Sequence, residues 1–148
     1  PDMLSSFHNE SFDCITLWHV LEHFQDPFSY SYHINRLLKP GGICIVALPN
    51  CSSYDALYYG AHWAAYDVPR HLWHFNPDTF KMFSEKAGLY ITSIRNLPLD
   101  VYYISALSEK YKGTKTQLIS CILKGGYFSF LTLFNKHKSS SLIYFLRK

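Results

Sequence analysis

Two short stretches gather the side chains best suited to chemistry. The string "WHVLEH", residues 18–23, holds His19, Glu22 and His23, and "DVPRHLWHF", residues 67–75, holds Asp67, Arg70, His71 and His74. Imidazoles beside carboxylates can move protons near neutral pH or bind a divalent metal. "HVLEH" also fits the H-x-x-E-H pattern of a class of zinc peptidases. That chemistry needs both histidines on one helical face. Here the string follows directly on a strand-like run, and the helix signal, Asp26 as N-cap with Pro27 at the first helical position, comes only afterwards. The peptidase reading is therefore set aside. The plainer alternatives are that Glu22 and His23 hydrogen-bond a strand-to-helix turn and that Arg70 with its aromatic neighbours pins a loop.

The elements that must position these groups can be read along the chain. Residues 13–18, "DCITLW", have the β-branched and aromatic content of a buried strand, preceded by the turn chemistry of "HNES". Tyr30, Ile34, Leu37 and Leu38 recur at helical spacing, and "KPGG" at 39–42 is expected to stop that helix. "ICIVALPN", 43–50, reads as a strand buried on both faces, so strand, helix and strand imply a right-handed βαβ unit in a parallel sheet. Residues 51–75 show no clean period and suit an irregular cover over a site, in which the aromatic run 54–66 is either an acceptor pocket or core. Asn76, Pro77, Asp78, Lys86 and Gly88 mark a second helix from start to stop. Residues 89–96 alternate as a strand, 101–134 read as largely helical with 118–134 as part of a buried helix pair, and 141–148 close as a strand.

The 148 residues suffice for one domain with a real core, and the 48% hydrophobic content argues against disorder. A net charge of +3, with Lys and Arg read as scattered, gives no footprint of a nucleic-acid binder. Cys14, Cys44, Cys51 and Cys121 form no CxxC pair and read as reduced thiols of a cytoplasmic protein. The polar opening stretch is not expected to be a signal peptide, no tract reaches spanning length, and membrane association is not the expected reading, a membrane-surface element at 118–134 being the alternative to the buried helix pair.

Four blocks, "SFDCITLWHVLEHFQDP", "RLLKPGGICIVALPN", "PRHLWHFNPDTFKMFSEKAGL" and "LIYFLRK", together resemble the C-terminal half of class I S-adenosylmethionine-dependent methyltransferases, and most of all the branch with the ubiquinone-biosynthesis O-methyltransferases. The resemblance implies an α/β fold, half of a Rossmann-like sheet in the strand order 4-5-7-6 with the last strand antiparallel, flanked by helices. The family's glycine-rich cofactor loop and its ribose-gripping acid have no counterpart, so residues 1–148 are expected to be one domain, the C-terminal part of a methyltransferase domain, inactive alone. The free edge of the first strand is expected to pair with another chain as a homo-oligomer.

What the resemblance implies for sites follows from ligands binding beyond the carboxyl ends of such strands. Asp2, Leu17, Trp18 and His19 are the expected cofactor contacts for S-adenosylmethionine. His71 is the first candidate for the base that removes the acceptor proton, and His19 the second. Tyr66, Arg70 and His74 are the expected contacts to a small-molecule acceptor, methylated on oxygen or nitrogen. Some relatives hold a divalent metal here with a carboxylate and a histidine, which maps to Glu22 and His23, although the usual pattern has Glu where this chain has His19. The alternative function, from a different class, is a non-catalytic interaction module built on the same half-sheet.

Overall fold

The computed structural model describes residues 2–115 and 117–148, with the side chains of residues 2 and 117 outside that description. After a short helix α1 (Asp2–Ser5), strand β1 (Phe12–Trp18) runs parallel to β2 (Leu38–Pro49). Helix α2 (Pro27–Leu37) joins them, capped by Asp26, whose side chain accepts from the Ser29 amide at 3.1 Å. The helix stops at Leu37 as expected, but "KPGG" is not a loop. It lies inside β2, where the register with β1 slips between Phe12 and Cys14. Gly41 takes φ +76°, a conformation costly to other residues, so the glycine pair lets the extra residues bulge without ending the strand.

Strand β3 (Tyr90–Asn96) and strand β4 (Ser141–Arg147) complete the sheet in the order β1-β2-β4-β3, with β4 antiparallel to both neighbours. The expected order and the inserted antiparallel strand are both observed. Val46, Ala47 and Leu48 are buried, as the apolar run implied. Helix α4 (Pro77–Lys86) is held at its start by a capping box, Asn76 Oδ1 accepting from the Thr79 amide and Thr79 Oγ1 from the Asn76 amide, each at 2.9 Å. Its Phe80 and Phe83 pack with Leu48, Leu142, Tyr144 and Leu146 into the core on one face of the sheet.

A second core gathers Ala56, Tyr59, Trp63, Ile104 and Phe128. It is built by α3 (Tyr54–Tyr59), α5 (Asp100–Tyr111) and α6 (Gln117–Thr132). The segment 51–75, expected to be irregular, thus contains α3 and two short 3₁₀ turns, Gly60–His62 and Ala64–Tyr66. Its aromatic run resolves as core in Tyr59 and Trp63, because the Trp63 indole N–H donates to Asp55 Oδ2 at 2.7 Å and is buried with it. Helix α6 departs from expectation. It buries Cys121 and Phe128 but leaves Leu118, Leu123 and Phe130 exposed, so it is not one of a fully buried pair. Among the described residues, no helix is long and apolar enough to cross a membrane.

Candidate active site

At the end of β1 the chain turns sharply. His19 still donates its amide to the Ala47 carbonyl at 3.1 Å, extending the ladder by one bond, but its φ is +51°. A histidine pays a strain cost there, and such outliers concentrate at functional sites. The next residues, Leu21–His23, form a single 3₁₀ turn, so His19 and His23 do not share a helix, as the rejection of the peptidase motif required. The Glu22 carbonyl accepts from the Leu72 and Trp73 amides at 2.8 and 3.2 Å, which clamps the second histidine-rich stretch onto the mouth of β1. The two sequence clusters therefore meet in space.

Between them and α5 lies a cavity of about 300 Å³. Its polar wall includes His19, Asp67, Arg70, His71 and Asp100, and its apolar wall includes Ile104 and Leu107 of α5 with Ala64 and Ala65 of the cover. Each histidine has a distinct environment. His19 Nε2 lies 3.1 Å from Asp100 Oδ2 and its Nδ1 lies 3.5 Å from Glu22 Oε1. The hydrogen bond to Asp100 first, and Glu22 second, outweigh partial burial and push its pKa up to about 9, so it is an imidazolium at neutral pH. Burial alone would raise the Asp100 pKa, but the His19 hydrogen bond holds it below its ordinary value.

His71 Nδ1 lies 2.8 Å from the Ala65 carbonyl oxygen. A carbonyl only accepts, so Nδ1 carries a proton, and the neutral form of the ring has its lone pair on Nε2. That Nε2 stands 3.9 Å from both Glu22 Oε1 and Asp67 Oδ2, too far for a hydrogen bond. Asp67 is itself engaged by Arg70, whose guanidinium donates at 2.7 Å. His23 is fixed in the same way as His71, with Nδ1 3.0 Å from the Arg70 carbonyl and its ring edge-to-face with His71 at 4.7 Å.

Glu22 sits behind these imidazoles. It is 1% exposed, and neither carboxylate oxygen has a hydrogen-bond partner. A buried carboxylate without a hydrogen bond is costly; its charge is met by the His19 imidazolium at 3.5 Å, and His71 Nε2 stands 3.9 Å away. One ligand atom each from Glu22, His23 and His71 lies within 4.8 Å of the others. A tetrahedral ion bound at 2.0–2.2 Å holds its ligand atoms about 3.4 Å apart, so these three residues are of the right types to hold a divalent cation but stand wider than a formed site.

The other expected site residues are distributed unevenly. Trp18 is half exposed at the mouth of β1. Leu17 instead turns its side chain into the sheet core, leaving only its backbone for a ligand, because alternate residues of a strand face opposite ways. Arg70 lines the cavity, whereas Tyr66 and His74 pack against each other beside it, the His74 Nε2 lying 3.0 Å from the Tyr66 carbonyl. The side chain of Asp2 lies outside the described residues. Sequence reasoning missed Asp100 and the α5 wall. The available signal was an acidic residue opening a helix after "NLPL", which reads equally well as a favourable charge at a helix start.

An open sheet with a final antiparallel strand and a cavity beyond its strand ends defines a Rossmann-like fold of the class I methyltransferase type. Solved structures agree over nearly the whole chain. A SAM-dependent methyltransferase from Archaeoglobus fulgidus superposes with a TM-score of 0.57 at 17% identity, covering 99% of this chain and 64% of that one. The [4+2]-cyclase SpnF superposes at 0.59 with 17% identity, over 97% of this chain and 52% of the cyclase. The model of the family described as a methyltransferase domain matches residues 3–94, and the chain belongs to that family. A ubiquinone biosynthesis O-methyltransferase of Cereibacter sphaeroides is 36% identical over 86 residues, which cover 54% of this chain. The match spans about a third (35%) of that relative's length.

Proposed function

We propose that the chain carries the acceptor side of an S-adenosylmethionine-dependent methyltransferase of small molecules, with His71 as the base. The observation that carries this reading is the cavity at the strand ends, with an apolar wall for an acceptor's body and the unpartnered Nε2 of His71 on its polar side. Its volume, about 300 Å³, suits a small molecule and not a polymer. Bound S-adenosylmethionine would supply an electrophilic methyl carbon, its carbon–sulfur bond breaking as an acceptor lone pair attacks. His71 Nε2 receives the acceptor's proton, and the Ala65 carbonyl holds the ring in the required tautomer throughout. His19, already protonated, does not serve as a base. With Asp100 it forms a charged pair at the mouth of β1, where with Trp18 it meets the cofactor side. Arg70 borders the acceptor. The likeness to ubiquinone biosynthesis O-methyltransferases supports a hydroxyl acceptor.

The free side of β1, where Thr16 and Trp18 are exposed, supports pairing with a further strand, which this reading assigns to another strand of a complete methyltransferase sheet or to a second copy.

One observation favours a second reading, the grouping of the buried Glu22 carboxylate with His23 and His71. A divalent cation held by Glu22, His23 and His71 would lower the charge on an acceptor oxygen, and His71 would then be a ligand and no longer a base.

The test uses the protein expressed from its complete reading frame and S-adenosylmethionine labelled in its methyl group. Label should pass to low-molecular-weight phenols or amines and persist in the presence of a chelator. Loss of transfer on chelation, restored by a divalent ion, selects the metal reading. Absence of transfer to any small molecule in a folded protein contradicts the enzyme and leaves the interaction module.

A further inference from the structure

Helix α6 presents an apolar face that the rest of the described chain does not cover. Its inner side is seated on α5, where Gly125 lies so close to Tyr102 that a Cβ would come within 2.6 Å of the ring. Its outer side exposes Leu118, Ile122, Leu123 and Phe130, followed past the helix end by Leu133 and Phe134, which is 76% exposed. At 1.5 Å per residue this face runs about 24 Å, and its positions fall within one half of the helical wheel. Exposed apolar surface of this extent marks an interaction site.

The charge around it identifies the partner. The basic residues are not scattered, as the sequence reading had it. Glu109 is the last acidic residue in the chain, and eight of the 14 Lys and Arg follow it. Lys110, Lys112 and Lys115 precede α6, and Lys136 and Lys138 follow it, so lysines bracket the apolar face at both ends. None of these five pairs with a carboxylate among the described residues; Lys138 donates to the Ser52 carbonyl and Lys112 stands over the Tyr58 ring, which leaves Lys110, Lys115 and Lys136 as the exposed cations that flank the face. The buried Glu109 of α5 is already neutralised by Lys124 of α6.

We infer that the outer face of α6 docks on an anionic lipid surface, lying in the interface with its apolar residues among the acyl chains and its flanking lysines at the headgroups. A helix of this pattern is too short to span a bilayer but suited to lie on one. A second copy of the chain would bring the same excess of positive charge to the contact, which disfavours self-association through this face. This inference stands apart from the proposed methyl transfer and does not depend on it.

Co-sedimentation with vesicles tests it. The protein should pellet with vesicles of phosphatidylcholine containing about one-third phosphatidylglycerol, and binding should fall steeply in high salt and on neutral phosphatidylcholine alone. Leu123→Asp with Phe134→Asp should abolish binding while leaving the melting temperature unchanged, because both side chains are exposed. Lys136→Glu, which leaves the apolar face intact, should weaken it about fivefold or more. A folded wild-type protein that stays in solution with the anionic vesicles overturns the inference. So does binding unaffected by the paired Asp substitutions, or a dimer seen by ultracentrifugation that those substitutions dissolve.

Discussion

Around the sheet and α4, the buried side chains are mostly Leu, Val, Phe and Tyr with Ile34 and Cys44, and the polar exceptions include the small Ser31 and Ser84. At equal depth between α3, α5 and α6 lie Asp55, Ser105, Ser108 and Glu109, among aromatic residues. The sheet core is joined by apolar contact, which any close-packed hydrophobe of the right size supports. The cover depends on particular donors and acceptors: Asp55 Oδ2 takes both the Trp63 indole N–H and the Ser140 hydroxyl, and the Ser108 hydroxyl accepts from the Ala64 amide at 2.9 Å. The candidate site lies on the seam. His19 comes from the sheet, His71 from the loop clamped over it and Asp100 from the cover, so the site inherits its rigidity from one side and its adjustable polarity from the other.

The comparison is broken most severely by Phe80→Ala. Phe80 is 1% exposed and packs on Tyr144, with ring centres 4.3 Å apart. Truncation should cost about 3–5 kcal/mol and lower the urea midpoint of the whole chain in one transition. A transition that splits in two would show that the cover holds without the sheet.

A smaller and more local effect is expected from Lys124→Met, which strips the partner from Glu109. The loss should be about 2 kcal/mol, less than for a fully buried pair because Lys124 is partly solvated. Amide exchange should accelerate in α5 and α6 while the strands stay protected. Adding Glu109→Gln should restore most of the loss. Equal acceleration in the strands would contradict the division into two cores.

The gentlest probe is pH. The His19 pKa rises from its ordinary 6.5 to about 9 on folding. The pair with Asp100 therefore stabilises the fold fully below pH 6.5, and that contribution is lost as pH climbs through about 9. A third of the His19 side chain is exposed, and after solvent screening the contribution is about 1 kcal/mol. Urea denaturation across this range should show the decline in the wild type and a smaller one in Asp100→Asn, where Glu22 still faces His19. An unchanged slope in the variant would remove Asp100 as the cause.

How much of this was legible in the sequence follows the same division. The Asp26 and Asn76 caps and the buried β2 run could be read because they rest on local signals, and the strand order because the four blocks resemble a family with one topology. "KPGG" signalled the helix stop correctly, but the strand placed at 43–50 begins at Leu38, and only pairing with β1 reveals the bulge that lets it do so. The meeting of "WHVLEH" with "DVPRHLWHF" depends on backbone bonds from Leu72 and Trp73 to Glu22, which leave no trace in residue type. Asp100 approaches His19 from a helix about eighty residues away, and no spacing rule reaches that far. The charge asymmetry around α6 was present in the sequence and becomes meaningful only when the helix is seen to be half exposed.

The central claim is that His71 takes the acceptor proton, and the most direct measurement is the turnover of His71→Ala beside His19→Ala in the protein from the complete reading frame. His71→Ala should lower kcat about a hundredfold or more, leave the Kd for S-adenosylmethionine nearly unchanged, and keep the wild-type melting temperature within a few degrees. His19→Ala should retain a larger share of kcat, having lost a charged pair but no base. A correctly folded His71→Ala enzyme with near-normal turnover, beside a His19→Ala enzyme that has lost it, would move the base to the mouth of β1 and contradict the account.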